Sequence, residues 1–230
     1  MPRQRRRANS DRRVDRGRPQ KRIVILCEGA KTEPCYLREI QRLHRLTAVE
    51  VVGAGCEALG LVREARRRVG NRKDRPDEVW CVFDKDSLKD DDFDNAIAQC
   101  AASARLEAFW SNEAFELWFV LHFAYVDAAQ PGPGEARAWY CRRLDEYLQS
   151  AGLGRYSKDA PDLYSRLGET RRQTADRHAR RLLEVHGDIP FHERKPGTTV
   201  HLLVQRLMDE ADEATGFLER HGEHANSRTS

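Results

Sequence analysis

The 230-residue chain has no apolar run near the ~20 residues that a helix needs to cross a bilayer, which excludes a helical membrane span. No secretory signal is expected either. The basic N-terminus leads into only five apolar residues, IVILC at 23–27, with Glu28 directly behind them. None of the six cysteines (27, 35, 56, 81, 100 and 141) forms a CxxC pair, and the eight histidines add no zinc-ligand spacing. Without a signal, the thiols are read as reduced and the protein as cytoplasmic. Internal repeats are absent. What remains is a chain 40% hydrophobic and 33% charged, long enough for one core-bearing domain with an appendage.

Charge is unevenly spread. Residues 1–22 carry ten Lys/Arg against two Asp, whereas the remaining chain holds 30 basic and 35 acidic residues, a net of −5. Residues 1–20 have almost no apolar content and are expected to form a disordered basic arm. Such an arm either attracts nucleic-acid phosphate in a salt-sensitive way or simply solubilises the chain. Composition does not choose between them.

The run 23–27 reads as a strand covered on both faces, as in a parallel sheet. Glu28-Gly29 turns the chain, and Thr32 is placed to cap a helix that Glu33 and Pro34 begin. A second strand is expected over about 49–52, then a Gly53-Ala54-Gly55 turn and a very basic helix over about 57–69. After the polar loop GNRKDRPD, EVWCVF (78–83) is another continuous apolar run, ending in Asp84-Lys85-Asp86. Asp90 to Asp92 open a helix to about 101. ARLEAFW (104–110) reads as strand four, and Ser111 or Asn112 as the cap of an apolar helix to about 123. Strands alternating with helices predict an α/β fold with a mostly parallel sheet. From 137 the pattern is helical. The expected organisation is the arm, an α/β domain over 21–126, a C-terminal helical subdomain over 137–220 and a flexible tail over 221–230.

Ligand sites of open parallel sheets lie outside the carboxyl ends of the strands. Glu28 ends strand one, and Asp84 and Asp86 end strand three. If those strands are neighbours, three carboxylates gather on one rim. Alternate residues of an extended D-x-D point the same way, so both aspartates reach one cation. Oxygen ligands without His or Cys suit Mg²⁺ (or Mn²⁺). Glu28 then helps to hold the metal or acts as a base beside it. The plain alternative is a solvated turn. A rival reading takes VVGAGCEA as G-x-G-x-x-A of a dinucleotide site, with Asp84 on a ribose. It leaves Glu28 and Asp86 unexplained, and Gly53 and Gly55 equally suit a tight turn.

ILCEGAKTEPCYL, VFDKD and SNEAFELWFVLHF, in that order, resemble the motifs of the RloB-like family, whose N-terminal half is similar to TOPRIM domains. YSK (156–158) and RKPGTTVHLL (194–203) resemble two further family elements, and the likeness covers most of 21–207. One departure is Glu113, where the family pattern has Pro. The resemblance implies a TOPRIM-like fold with Glu28, Asp84 and Asp86 around Mg²⁺. It also implies a nuclease effector of antiphage defence, commonly beside an AAA/ABC-type ATPase. It raises Glu116, which interrupts an otherwise apolar helix, as a metal or supporting acid; a structural acid stabilised by the helix dipole is the alternative. It likewise raises Lys158 as a stabiliser of phosphoryl charge, the alternative being a surface lysine.

Phe115, Trp118, Phe119, His122 and Phe123 read as core rather than as a base-stacking platform. His178, His186, His192 and His201 read as ordinary residues. The expected activity is hydrolysis of DNA or RNA phosphodiesters, with Asp84 and Asp86 on the metal. A noncatalytic scaffold docked on an ATPase and a dinucleotide-cofactor enzyme are the alternatives.

Overall fold

The computed structural model describes residues 20–86, 88–127 and 136–226, with side chains as far as 215. The expected arm, apart from Gln20, and most of the loop after 127 therefore lie outside the described residues. Strands β1 (Ile23–Cys27), β2 (Val49–Gly53), β3 (Glu78–Asp84), β4 (Leu106–Asn112) and β5 (Gly197–Thr198) form one sheet in the order β2-β1-β3-β4-β5. The first four are parallel and β5 is antiparallel to β4. The fold is α/β, as the alternating pattern predicts.

Both faces of β1 and β3 are buried, which is why their sequences run apolar without alternation. Ile23, Ile25 and Cys27 face one layer; Val24 and Leu26 face the other. Helices α2 (Ala58–Gly70) and α3 (Asp90–Ala101) fill the second layer around Phe83 and Phe93. The first holds α1 (Thr32–Leu43), α4 (Glu116–Leu121), α5 (Ala136–Ser150), α6 (Leu163–His186) and α7 (Val200–Asn226). Buried residues of α1, α4, α5, α6 and α7 share one core with the sheet, so the helical half forms one of its covering layers.

Several local expectations shift. Ser111 and Asn112 are strand residues rather than helix caps, because β5 pairs with them from far along the chain. Ser111 Oγ lies 3.0 Å from Thr198 Oγ1, and the Asn112 side-chain amide donates to the His192 carbonyl at 2.8 Å. Thr32 opens α1 without a capping bond. Helix α4 ends at Leu121 rather than near 123. The expected tail from 221 begins inside α7, whose backbone runs to Asn226; 227–230 lie outside the described residues.

Candidate functional site

Pairing of β1 with β3 sets Cys27 opposite Val82, and the Glu28 amide donates to the Val82 carbonyl at 2.9 Å. One step further, the Asp84 amide donates to Glu28 Oε2 at 3.0 Å. The two strand-end acids are thus in direct contact. Asp84 is buried, and its Oδ2 accepts the Phe115 amide (3.1 Å) and Arg137 Nη2 (2.9 Å). Its Oδ1 has no hydrogen-bond partner among the described residues. Asp86 lies at the rim with its side chain 60% exposed, and Arg137 Nη2 is 3.3 Å from its Oδ2. A guanidinium therefore bridges both aspartates of D-x-D. Lys85, between them, turns away to Asp90 at 2.9 Å. Asp86 adopts φ 31°, a left-handed conformation that non-glycine residues seldom take outside constrained sites. Its amide is held by the Glu113 carbonyl at 3.0 Å, and the Glu113 carboxylate is paired with Lys195, so Glu113 has structural partners through both backbone and side chain.

Glu116 opens α4 and is buried. Its Oε1 accepts the Tyr156 hydroxyl at 3.1 Å, and its Oε2 has no hydrogen-bond partner among the described residues. The Tyr156 hydroxyl also bonds the Thr32 side chain, tying α1 to this corner. Cys141 on α5 bonds Glu116, and burial together with that carboxylate pushes its thiol up to about 11. Lys158 is exposed, and no hydrogen bond or ion pair joins it to the acids. Its charge nevertheless bears on the Cys141 thiol.

Two members of the cluster escaped the sequence reading. Glu33 is buried and accepts the Gly29 amide, so close over the turn that a Cβ on Gly29 would run into its carboxylate. The signal was the repeated acid in EGAKTE, read only as a helix start. Arg137 had no local signal; only the fold brings the first turn of α5 to the end of β3.

The electrostatics follow from this crowding. Burial, with repulsion from Glu33, raises Glu28 to about 7 despite the Asp84 amide. Asp84 is pushed well up by burial and then by Glu33, with Arg137 opposing. Glu33 is raised by burial and by Glu116. Sharing one arginine among these acids leaves an excess of buried negative charge, which is costly unless a further cation offsets it. Among the described residues no three Asp, Glu, His or Cys side chains stand in a ready-made coordination shell. The donor set nonetheless fits a hard divalent ion: it is all oxygen, in charge excess, with buried oxygens of Asp84 and Glu116 unpartnered.

The glycine turn after β2 is otherwise employed. The amides of Ala54 and Gly55 donate to the carbonyls of Cys27 (2.8 Å) and Glu28 (3.1 Å), so they are not aimed at a phosphate. A Cβ on Gly53 would sit 3.0 Å from the Gly29 carbonyl oxygen, which explains the glycine by packing. Phe115, Trp118, Phe119 and His122 are buried core, and the Trp118 indole donates to Tyr36 Oη at 3.0 Å.

A family model described as RloB-like protein matches residues 23–207, from β1 into α7 and through every acid of the cluster. No curated protein and no solved structure matches the chain. Among the described residues no helix is long and apolar enough to cross a membrane.

Proposed function

The chain belongs to the RloB-like family, and from that premise we propose that it is a nuclease dependent on Mg²⁺ or Mn²⁺ that hydrolyses phosphodiesters of DNA or RNA. The observation that carries this reading is the cluster of Glu28, Glu33, Asp84 and Glu116, where buried oxygens of Asp84 and Glu116 have no partner. Asp84, Asp86 and Glu28 would hold the ion, with Glu116 supporting. A bound ion polarises the phosphate and lowers the pKa of a water.

The chain's own residues do the rest. The Asp84 amide fixes Glu28 at Oε2 and leaves Oε1 to complete the shell or to take the water's proton. Arg137, whose carboxylate partners are the proposed ligands, would turn its fork to a phosphate oxygen once they engage a metal. Lys158, which is exposed and whose charge reaches Cys141 beside Glu116, would stabilise the phosphoryl charge. The family resemblance is what supports a role in antiphage defence, in the cytoplasm, beside an AAA/ABC-type ATPase.

One observation favours a second reading. Arg137 already pairs with both aspartates, so the cluster also suits a noncatalytic scaffold docked on an ATPase. The deciding experiment incubates the purified chain, with and without Mg²⁺ and a co-purified ATPase, with labelled DNA and total RNA. Metal-dependent cleavage that Asp84→Asn removes supports the nuclease. No cleavage, with ATPase assembly unchanged by Asp84→Asn, supports the scaffold.

A further inference from the structure

The acids occupy the carboxyl end of the parallel strands. At the opposite end lies an open cavity of about 590 Å³ lined by Arg22, Arg72, Lys73 and Arg75. Arg22 immediately precedes β1, and the other three belong to the loop between α2 and β3; the paired starts of β1 and β3 bring them together. Arg22 is spoken for: its guanidinium pairs with Asp74 at 2.8 Å and its amide donates to Asp77 at 2.9 Å. Among the described residues the side chains of Arg72, Lys73 and Arg75 have no hydrogen bond or ion pair. Four cations meet here against two acids of the same loop, Asp74 and Asp77, both of which serve Arg22, so the remaining three cations repel one another.

We propose that this basic cavity is a second nucleic-acid site, one that grips the phosphate backbone at the sheet's far end from the acids. A lining of four cations suits a run of phosphates and not an apolar ligand. The choice of nucleic acid rests on the nuclease reading; the binding itself needs neither metal nor hydrolysis. The seven residues of β3 separate the two ends by about 20 Å at ~3.3 Å per residue. A backbone touching both ends therefore spans at least about six base pairs at ~3.4 Å each. Shorter pieces occupy one end only.

The test uses the full chain in EDTA, with fluorescence anisotropy on labelled RNA and duplex DNA of about 30 nucleotides per strand over a salt series. The variant Arg72→Ala/Lys73→Ala/Arg75→Ala is set against Arg42→Ala/Arg142→Ala/Arg177→Ala, which removes equal charge from exposed positions elsewhere. The loop variant is expected to bind about tenfold more weakly near 0.1 M salt, with the salt slope flattened by roughly 2–3. The control is expected to change less than about twofold. Equal losses in both variants, or none, overturn the proposal. So does a wild-type chain that binds neither nucleic acid while the loop variant alone loses a co-purifying ATPase. Because EDTA removes hydrolysis from the readout, failure of the nuclease reading would show separately, as intact substrate under Mg²⁺ with binding retained.

Discussion

Glu39 and Asp84 are both acids inside the molecule, at 3% and 4% exposure, yet their surroundings differ in kind. Glu39 on α1 is saturated: one oxygen accepts the Tyr164 amide (2.7 Å), the other the Ser165 amide (3.1 Å) and hydroxyl (2.6 Å). It closes the start of α6, a structural use of a buried carboxylate. Asp84 has one oxygen orphaned, raised acids around it and a single arginine shared with Asp86. A fold that satisfies one buried acid fully, while leaving another short of partners, has spent the first on stability. Under the proposed function the second is left for a metal ion. Burial alone does not separate them; the hydrogen-bond ledger does.

The largest effects should fall on opposite readouts. Asp84→Asn is expected to lower metal-dependent cleavage roughly a thousandfold while leaving thermal stability nearly unchanged. Glu39→Gln should do the reverse: an amide in place of the carboxylate sets donors against donors and costs on the order of 2 kcal/mol. Activity assays beside calorimetric melting check both. Loss of cleavage without loss of stability in the Glu39 variant would break the comparison.

The next effect is one of pH. Glu28 is raised from 4.5 to about 7, so the metal-free folded state holds its proton more tightly than the unfolded chain does. That contribution to stability is full below the unfolded value and is lost as pH rises through about 7. After a discount for its partial exposure it is on the order of 2 kcal/mol, or roughly 4–8 °C in Tm. Melting the metal-free wild type and Glu28→Gln at about pH 5.5 and about pH 8 should show the larger fall in the wild type.

Arg137→Ala sharpens the same contrast from the cation side. Removing the competing guanidinium should tighten Mn²⁺ binding about tenfold in the absence of nucleic acid, read as a larger metal-induced rise in Tm, while cleavage falls. The smallest change is Tyr156→Phe. It removes one hydrogen bond from Glu116, worth about 1 kcal/mol, and should slow cleavage modestly.

Legibility in the sequence tracked the range of the interactions. Strands β1 and β3 were readable because burial on both faces makes their residues uniformly apolar. The gathering of Glu28, Asp84 and Asp86 at one sheet edge was readable because they follow the ends of two such runs. Strand β5 was not, since a two-residue element exists only through its pairing with Ser111 and Asn112. That distant pairing also turned two apparent helix caps into strand residues. Glu33 hid behind an ordinary role at a helix start, and Arg137 behind sequence distance. Long-range partners decide which acids are satisfied, and a single sequence does not display them.

The most direct test of the central claim is isothermal titration of the metal-free chain with Mn²⁺, repeated for Glu28→Gln and Asp84→Asn. Saturable uptake by the wild type that both substitutions abolish is the predicted result. No uptake, or uptake indifferent to both substitutions, would contradict a divalent ion at the ends of β1 and β3.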